Sequence, residues 1–328
     1  MRSINGPQKR HSPLRGFARF SVSKILFFVV TFFIFSSCGT LSRESAFSQV
    51  SGQNGGFVSQ ASPETFLPRW EPFARDVTGG LAYCAGKVSV PRIEFHALRV
   101  DLASPELRIF AAGGAGGRDN ILSVKVTSFV RDNNLLAGIN ALPFDPVSGK
   151  EGEPRVNVGL VIANGEMISP PNHRYDALVF YADGSGAPAV GAAVIAQSEI
   201  QSAGNIVNAV GGFFRILEGG EPVPRVLELQ ARHPRSAAGI SPDGKYLYLL
   251  VIDGRRPDSV GATEMETALL LRSLGAGEGI NFDGGGSSVL ALRYPDGVVR
   301  AVNTPIHSNI PGRERAVAGC LGIGLADK

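Results

Sequence analysis

From about residue 76 onward, apolar and polar residues trade places in the two-residue rhythm of half-buried strands. Ile93 to Leu102 (I-E-F-H-A-L-R-V-D-L) shows it most clearly. Leu107 to Ala111, Leu135 to Asn140, Val158 to Ile162, Ala177 to Tyr181 and Val190 to Ile195 follow as shorter runs, with Asn164-Gly165 and Asp183-Gly184 as hairpin turns between them. Tyr246 to Ile252 (Y-L-Y-L-L-V-I) does not alternate, which predicts a strand buried on both faces. Thr263 to Leu274 changes to helical spacing, with a capping box at Thr263 and Glu266 and a C-terminal glycine at Gly275. Gly279 to Phe282 is strand again. The pattern predicts an α+β domain, mainly mixed or antiparallel β-sheet, with one βαβ crossover over 246–282 whose two strands pair in parallel.

That crossover has a chemical consequence. Asp253 and Asp283 each directly follow one of its strands, so parallel strands bring both carboxylates to the same sheet edge, where ligands of open α/β sheets bind. Paired carboxylates are the usual acid and base of glycoside hydrolysis, which makes Asp253 and Asp283 the first catalytic candidates. Glu266 ranks below them, because the capping box already engages it. The run Asp283-Gly284-Gly285-Gly286-Ser287-Ser288 has more glycine than a turn needs. It suggests a backbone nest for an anion, with Ser287 adding a hydroxyl. Arg235, Arg313 and Arg315 are candidate phosphate forks, Asn140 and Asp145 candidate sugar ligands, and His307 a candidate proton carrier.

Composition alters this picture mainly at the N-terminus. Of 328 residues, 44% are hydrophobic and 19% charged, as in a globular protein with a core. The formal charge is +3, but Arg2, Lys9, Arg10, Arg15, Arg19 and Lys24 precede every acid, and without those six the balance is 26 basic to 29 acidic residues. No basic face for nucleic acid is implied. The basic start, the apolar run Ile25 to Phe35 and the small residues after it predict an export signal over 1–38. The apolar run is short of the roughly 20 residues of a membrane span. Phe35-Ser36-Ser37-Cys38 resembles a lipobox, which makes Cys38 the candidate lipidation site and the membrane a partner. Residues 39–75, rich in Ser, Gly and Gln, are expected to be a flexible tether to a catalytic domain over 76–328. Cys84 and Cys320 either pair or remain separate thiols. No Cys/His cluster exists, so no cofactor is expected. A carboxylate-bound calcium is the one metal left open.

Asn281 to Ser288 (N-F-D-G-G-G-S-S) closely resembles the N-L-D-G-G-G-S-S signature of the phosphodiester glycosidase domain family. Asn140-Ala141-Leu142-Pro143-Phe144-Asp145 is similar to that family's N-x-x-[FY]-F region, and Ala209 to Phe214 to its glycine pair before a buried segment. Arg235-Ser236-Ala237-Ala238-Gly239 is similar to R-[TS]-A-x-G and Val251 to Arg255 to V-x-D-G-R. Asn303-Thr304-Pro305 with Glu314-Arg315 resembles the closing motif. Phe282 replaces the usual Leu, and Leu142-Pro143 stands where Gly-Tyr is common.

The resemblance runs from about Leu81 to Leu325. It implies a hydrolase that cleaves the glycosidic bond of a sugar-1-phosphate diester and leaves a phosphomonoester, and the export signal expected over 1–38 would place it in the cell envelope. In that reading Asp253 or Asp283 activates water or protonates the leaving group. Arg235 and Arg315, with the amides of Gly284, Gly285, Gly286 and Ser287, hold the phosphate, and Asn140 and Asn303 complete the substrate site. Two other readings are an O-glycosidase acting on an envelope polysaccharide and a non-catalytic, lipid-tethered glycan-binding protein.

Overall fold

The computed structural model describes residues 58–60, 62–73, 79–113, 121–182 and 191–326. The export leader, Cys38 and the Asp183-Gly184 turn lie outside the described residues. Eight strands and two helices position the site: β1 (Leu81–Val88), β2 (Ile93–Asp101), α1 (Val126–Asp132), β3 (Ala137–Asn140), β4 (Arg235–Ile240), β5 (Tyr246–Ile252), α2 (Glu264–Leu274), β6 (Glu278–Asn281), β7 (Leu290–Arg293) and β8 (Gly319–Leu325).

The largest sheet runs in the order Val58–Gln60, β1, β2, β5, β4, β6, Phe214–Glu218, Glu221–Pro222. A second sheet is ordered Val299–Ala301, β7, β3, β8, Leu107–Gly113. A third is built from the hairpins between Val161 and Gly211. Asn164 and Gly165 both take left-handed φ, at 51° and 80°, and form the predicted two-residue turn between Val161–Ala163 and Glu166–Ser169.

The unbroken apolar run of β5 has the predicted cause. Leu247, Leu249 and Val251 point into a core shared with Ile139, Leu178 and Leu321 from the other two sheets. Tyr248, Leu250 and Ile252 point the other way, into a core made with Leu270, Leu271 and Leu274 of α2. With both faces covered, neither set tolerates a polar residue. Helix α2 starts as predicted: the Thr263 side chain accepts from Glu266 N–H, the Glu266 carboxylate accepts from Thr263 N–H, and Gly275 closes the helix at φ 114°.

Two expectations need correction, and one open alternative is decided. The strands of the expected βαβ crossover, β5 and β6, are not hydrogen-bonded to each other. β4 lies between them and is antiparallel to both. β5 and β6 therefore still run in the same direction and end on the same edge, where β4 begins. Second, the expected tether to residue 75 is too long. Val58–Gln60 pairs in parallel with Gly86–Val88, and Phe66 is buried edge-on against Phe95 with ring centroids 4.8 Å apart. Of the two alternatives for Cys84 and Cys320, the structure shows separate thiols. Each is a free, buried thiol, and they sit in different core clusters.

Candidate active site

The common edge collects the start of β4, the ends of β3, β5 and β6, and the loops that follow them. Asn140 at the end of β3 fastens the glycine loop. Its Nδ2 donates to the Asp283 carbonyl (2.6 Å), and its Oδ1 accepts from Ser236 Oγ (2.6 Å) and Val289 N–H (3.1 Å). An amide so used has little left for a sugar hydroxyl, so Asn140 holds the loop in place.

Asp253 is 2% exposed and surrounded by donors. Its Oδ1 accepts from Asn303 Nδ2 (3.2 Å) and Thr304 N–H (3.0 Å), and its Oδ2 lies 3.3 Å from Arg256 Nη2. Burial pushes its pKa up to about 6 against the pull of Arg256, Asn303 and Thr304. Asn303 is committed as well, since its Nδ2 also donates to the Ser288 carbonyl and its Oδ1 accepts from Leu290 N–H. Behind them, Arg256 reaches Glu94 (2.9 Å), and Ser259 bridges the Asp253 carbonyl to Glu94 N–H.

Arg235 also differs from expectation. It is 6% exposed, and its guanidinium is bidentate on Glu264 (2.8 and 3.0 Å), with further bonds from Nε to the Ala262 carbonyl and from Nη2 to the Ala231 carbonyl. A fork closed on a buried carboxylate is not offered to phosphate. Glu266 holds its helix cap and Arg232.

Asp283 is the exception. It is only half-buried. Burial raises its pKa to about 6, while the Ser287 hydroxyl, the Arg315 charge and the Gly284 N–H favour the ionised form. Arg315 Nη1 donates to Ser287 Oγ (3.3 Å), and Arg315 Nε donates to His307 Nδ1 (3.2 Å). That second bond requires a neutral His307 carrying its proton on Nε2. Burial and the charges of Arg315, Arg313 and Arg255 all lower the pKa of His307, which keeps it neutral.

The glycine loop is less of a nest than its sequence suggests. Gly285 N–H donates to the Pro234 carbonyl, and Ser287 N–H to the Gly284 carbonyl. The glycines serve another purpose, which is close approach. A Cβ on Gly284 would lie 2.8 Å from the Pro234 carbonyl oxygen, and one on Gly286 2.6 Å from Arg315 Nη2.

A cavity of ≈ 680 Å³ beside this edge is lined by Thr127, Arg131, Asn303, Pro305 and Glu314 among others. Neither aspartate lines it, so we do not place the chemistry there. No group of three or more His, Cys, Asp or Glu side chains suited to a metal ion forms among the described residues.

The model of the phosphodiester glycosidase family matches residues 133–324. The chain belongs to that family. Solved structures share the fold. A Burkholderia pseudomallei protein named "Putative exported protein" has a TM-score of 0.57 at 16% identity, over 71% of this chain and 74% of its own. The catalytic domain of zebrafish N-acetylglucosamine-1-phosphodiester alpha-N-acetylglucosaminidase, auto-inhibited by its pro-peptide, has a TM-score of 0.55 at 18% identity, over 79% and 89%. A hypothetical protein from Synechocystis has 0.54 at 15%, over 76% and 63%. At these identities the likeness is one of fold. No curated protein sequence matches the chain.

Sequence reasoning missed Glu264, which occupies Arg235, and gave no role to Arg255 or Arg256. Only Arg255 had a signal, as the last residue of the D-G-R run. No helix among the described residues is long and apolar enough to cross a membrane.

Proposed function

We propose that this phosphodiester glycosidase-family protein is an exported hydrolase that cleaves the glycosidic bond of a sugar-1-phosphate diester. The observation that carries the reading is the group Asp283, Ser287 and Arg315: a reachable carboxyl of raised proton affinity beside a guanidinium that no carboxylate neutralises at ion-pair distance. In the proposed step, Asp283 takes a proton from a water as that water attacks the anomeric carbon. The C1–O bond breaks, its electron pair stays on the phosphate oxygen, and Arg315 faces the departing phosphate. Asp253 is assigned to holding Asn303 and Thr304, because its oxygens are already filled. The expected basic and apolar leader supports export, and Cys38 is the proposed lipid attachment point.

The test is release of free sugar and a phosphomonoester from a sugar-1-phosphate methyl diester by the purified protein, alongside Asp283→Asn. Turnover by wild type but not the variant supports the reading. Equal turnover by both removes Asp283 from the chemistry. Turnover of neutral glycosides alone would favour an O-glycosidase.

A further inference from the structure

Several arginines elsewhere among the described residues are committed. Arg215, Arg235 and Arg256 reach carboxylates, Arg293 donates to main-chain carbonyls, and Arg225 lies over the Phe214 ring. Arg255 is exposed and makes no hydrogen bond or ion pair among the described residues. Its backbone takes the left-handed conformation, φ 58°, which a non-glycine residue adopts at some expense. The side chain nevertheless lies against the catalytic loop: a Cβ on Gly285 would be 3.0 Å from Arg255 Nη2. The next residue, Gly286, bears the same relation to Arg315, at 2.6 Å. Two guanidinium groups thus rest on consecutive glycines of one turn, where an added side chain would displace the tip of its arginine. The groups sense each other: burial lowers the pKa of Arg315, Asp283 raises it, and the Arg255 charge lowers it further.

With Asp283 ionised and His307 neutral, these groups sum to one net positive charge. Two cations on one turn repel, the single Asp283 carboxylate offsets only one of their charges, and an anion placed across them removes the repulsion.

We propose that Arg255 and Arg315 form a two-armed clip over Gly285–Gly286 that takes the leaving phosphate as it gains its second negative charge. Arg255 is the arm that makes the site prefer a phosphomonoester dianion to a diester monoanion. The proposal rests on the phosphodiester reading above and deepens it. It explains why no second free carboxyl stands beside Asp283: with both arms on the phosphate, the bridging oxygen departs without a proton donor. It also makes the phosphomonoester product an inhibitor held by the residues that help form it.

The experiment uses the full chain, its Arg255→Gln and Arg255→Lys variants, and Arg272→Gln as a surface control paired elsewhere with Glu221. Calorimetric titration with methyl phosphate and dimethyl phosphate at pH 7.5 reads the clip directly. Wild type and the control should bind the monoester more tightly than the diester. Arg255→Gln should lose about 10²-fold on the monoester and far less on the diester, with Arg255→Lys in between because it keeps charge without the fork. On a sugar-1-phosphate methyl diester, kcat of Arg255→Gln should fall about 10²-fold, with unchanged thermal unfolding.

If wild type binds methyl phosphate through Arg255 but turns over no diester, the clip stands and the catalytic reading falls. Should diesters be hydrolysed while Arg255→Gln keeps wild-type turnover and monoester affinity, the catalytic reading stands and the clip is wrong. Absence of both binding and turnover in wild type overturns both.

Discussion

Asp253 and Asp283 look like equivalents. Each follows a buried strand, each precedes a glycine, and burial raises the pKa of each to about 6. Their surroundings are opposite. Asp253 is closed in by Asn303, Thr304 and Arg256, and the chain around it is fastened to Glu94 and Ser259. Asp283 sits on a loop whose backbone is pinned by Asn140 and Pro234, while its carboxyl meets only a hydroxyl, an amide and the edge of an arginine pair. A raised pKa alone therefore does not separate the two aspartates here. Unused hydrogen-bonding capacity beside unneutralised charge does.

The comparison can be broken most decisively at Asp283. Asp283→Asn should lower kcat by about 10³-fold, within the range for a lost general base, and leave the fold intact by circular dichroism. A variant retaining a tenth of wild-type activity would make the two aspartates equivalent again.

The buried Arg235–Glu264 pair should come next. Glu264→Gln strands a buried guanidinium and should cost about 3–5 kcal/mol in denaturant unfolding, while KM for a diester in the folded protein stays near wild type. A raised KM with unchanged stability would return Arg235 to the substrate site. Asp253→Asn should cost about 2 kcal/mol, since it leaves donors on Arg256 or Thr304 unmatched, and should affect kcat less than tenfold.

The pH dependence tests the role of Asp283 itself. A carboxyl whose pKa is about 6 when folded and 3.8 when unfolded favours the fold fully below pH 4 and loses that contribution as pH rises through 6. Asp283→Asn should thus melt above wild type at pH 8, and the gap should close by pH 4. Wild-type kcat should rise through pH 6 as Asp283 ionises. A flat profile there would exclude it as the base. The smallest effect belongs to the helix cap: Glu266→Ala should cost about 1 kcal/mol with activity unchanged, as read by thermal melts and sugar release.

Much of this was legible in residue order, because much of it is local. Alternation in β2, the doubly buried β5, the Asn164-Gly165 turn and the Thr263–Glu266 cap depend on periodicities of two to four residues. The strand ends also placed Asp253 and Asp283 at one edge, though by way of a direct parallel pairing that the sheet does not make. What each does there was not legible. Arg235 and Arg315 read alike as phosphate forks until folding closes a buried carboxylate on the first and leaves a histidine and a serine on the second. The strand between β5 and β6 escaped prediction because pairing order is a property of the whole sheet.

The sequence by itself therefore determined the element types, the family and the edge at which the chemistry-bearing residues gather, since these follow from short-range pattern and ordered motifs. Only the tertiary structure decided which aspartate is free, which arginine is spent and that Arg255 lies on the glycine loop. Those outcomes depend on donors and acceptors brought together from distant parts of the chain, Asn303 to Asp253 and Asn140 to Asp283 among them, and a buried polar group is silent or reactive according to whether such a partner has reached it.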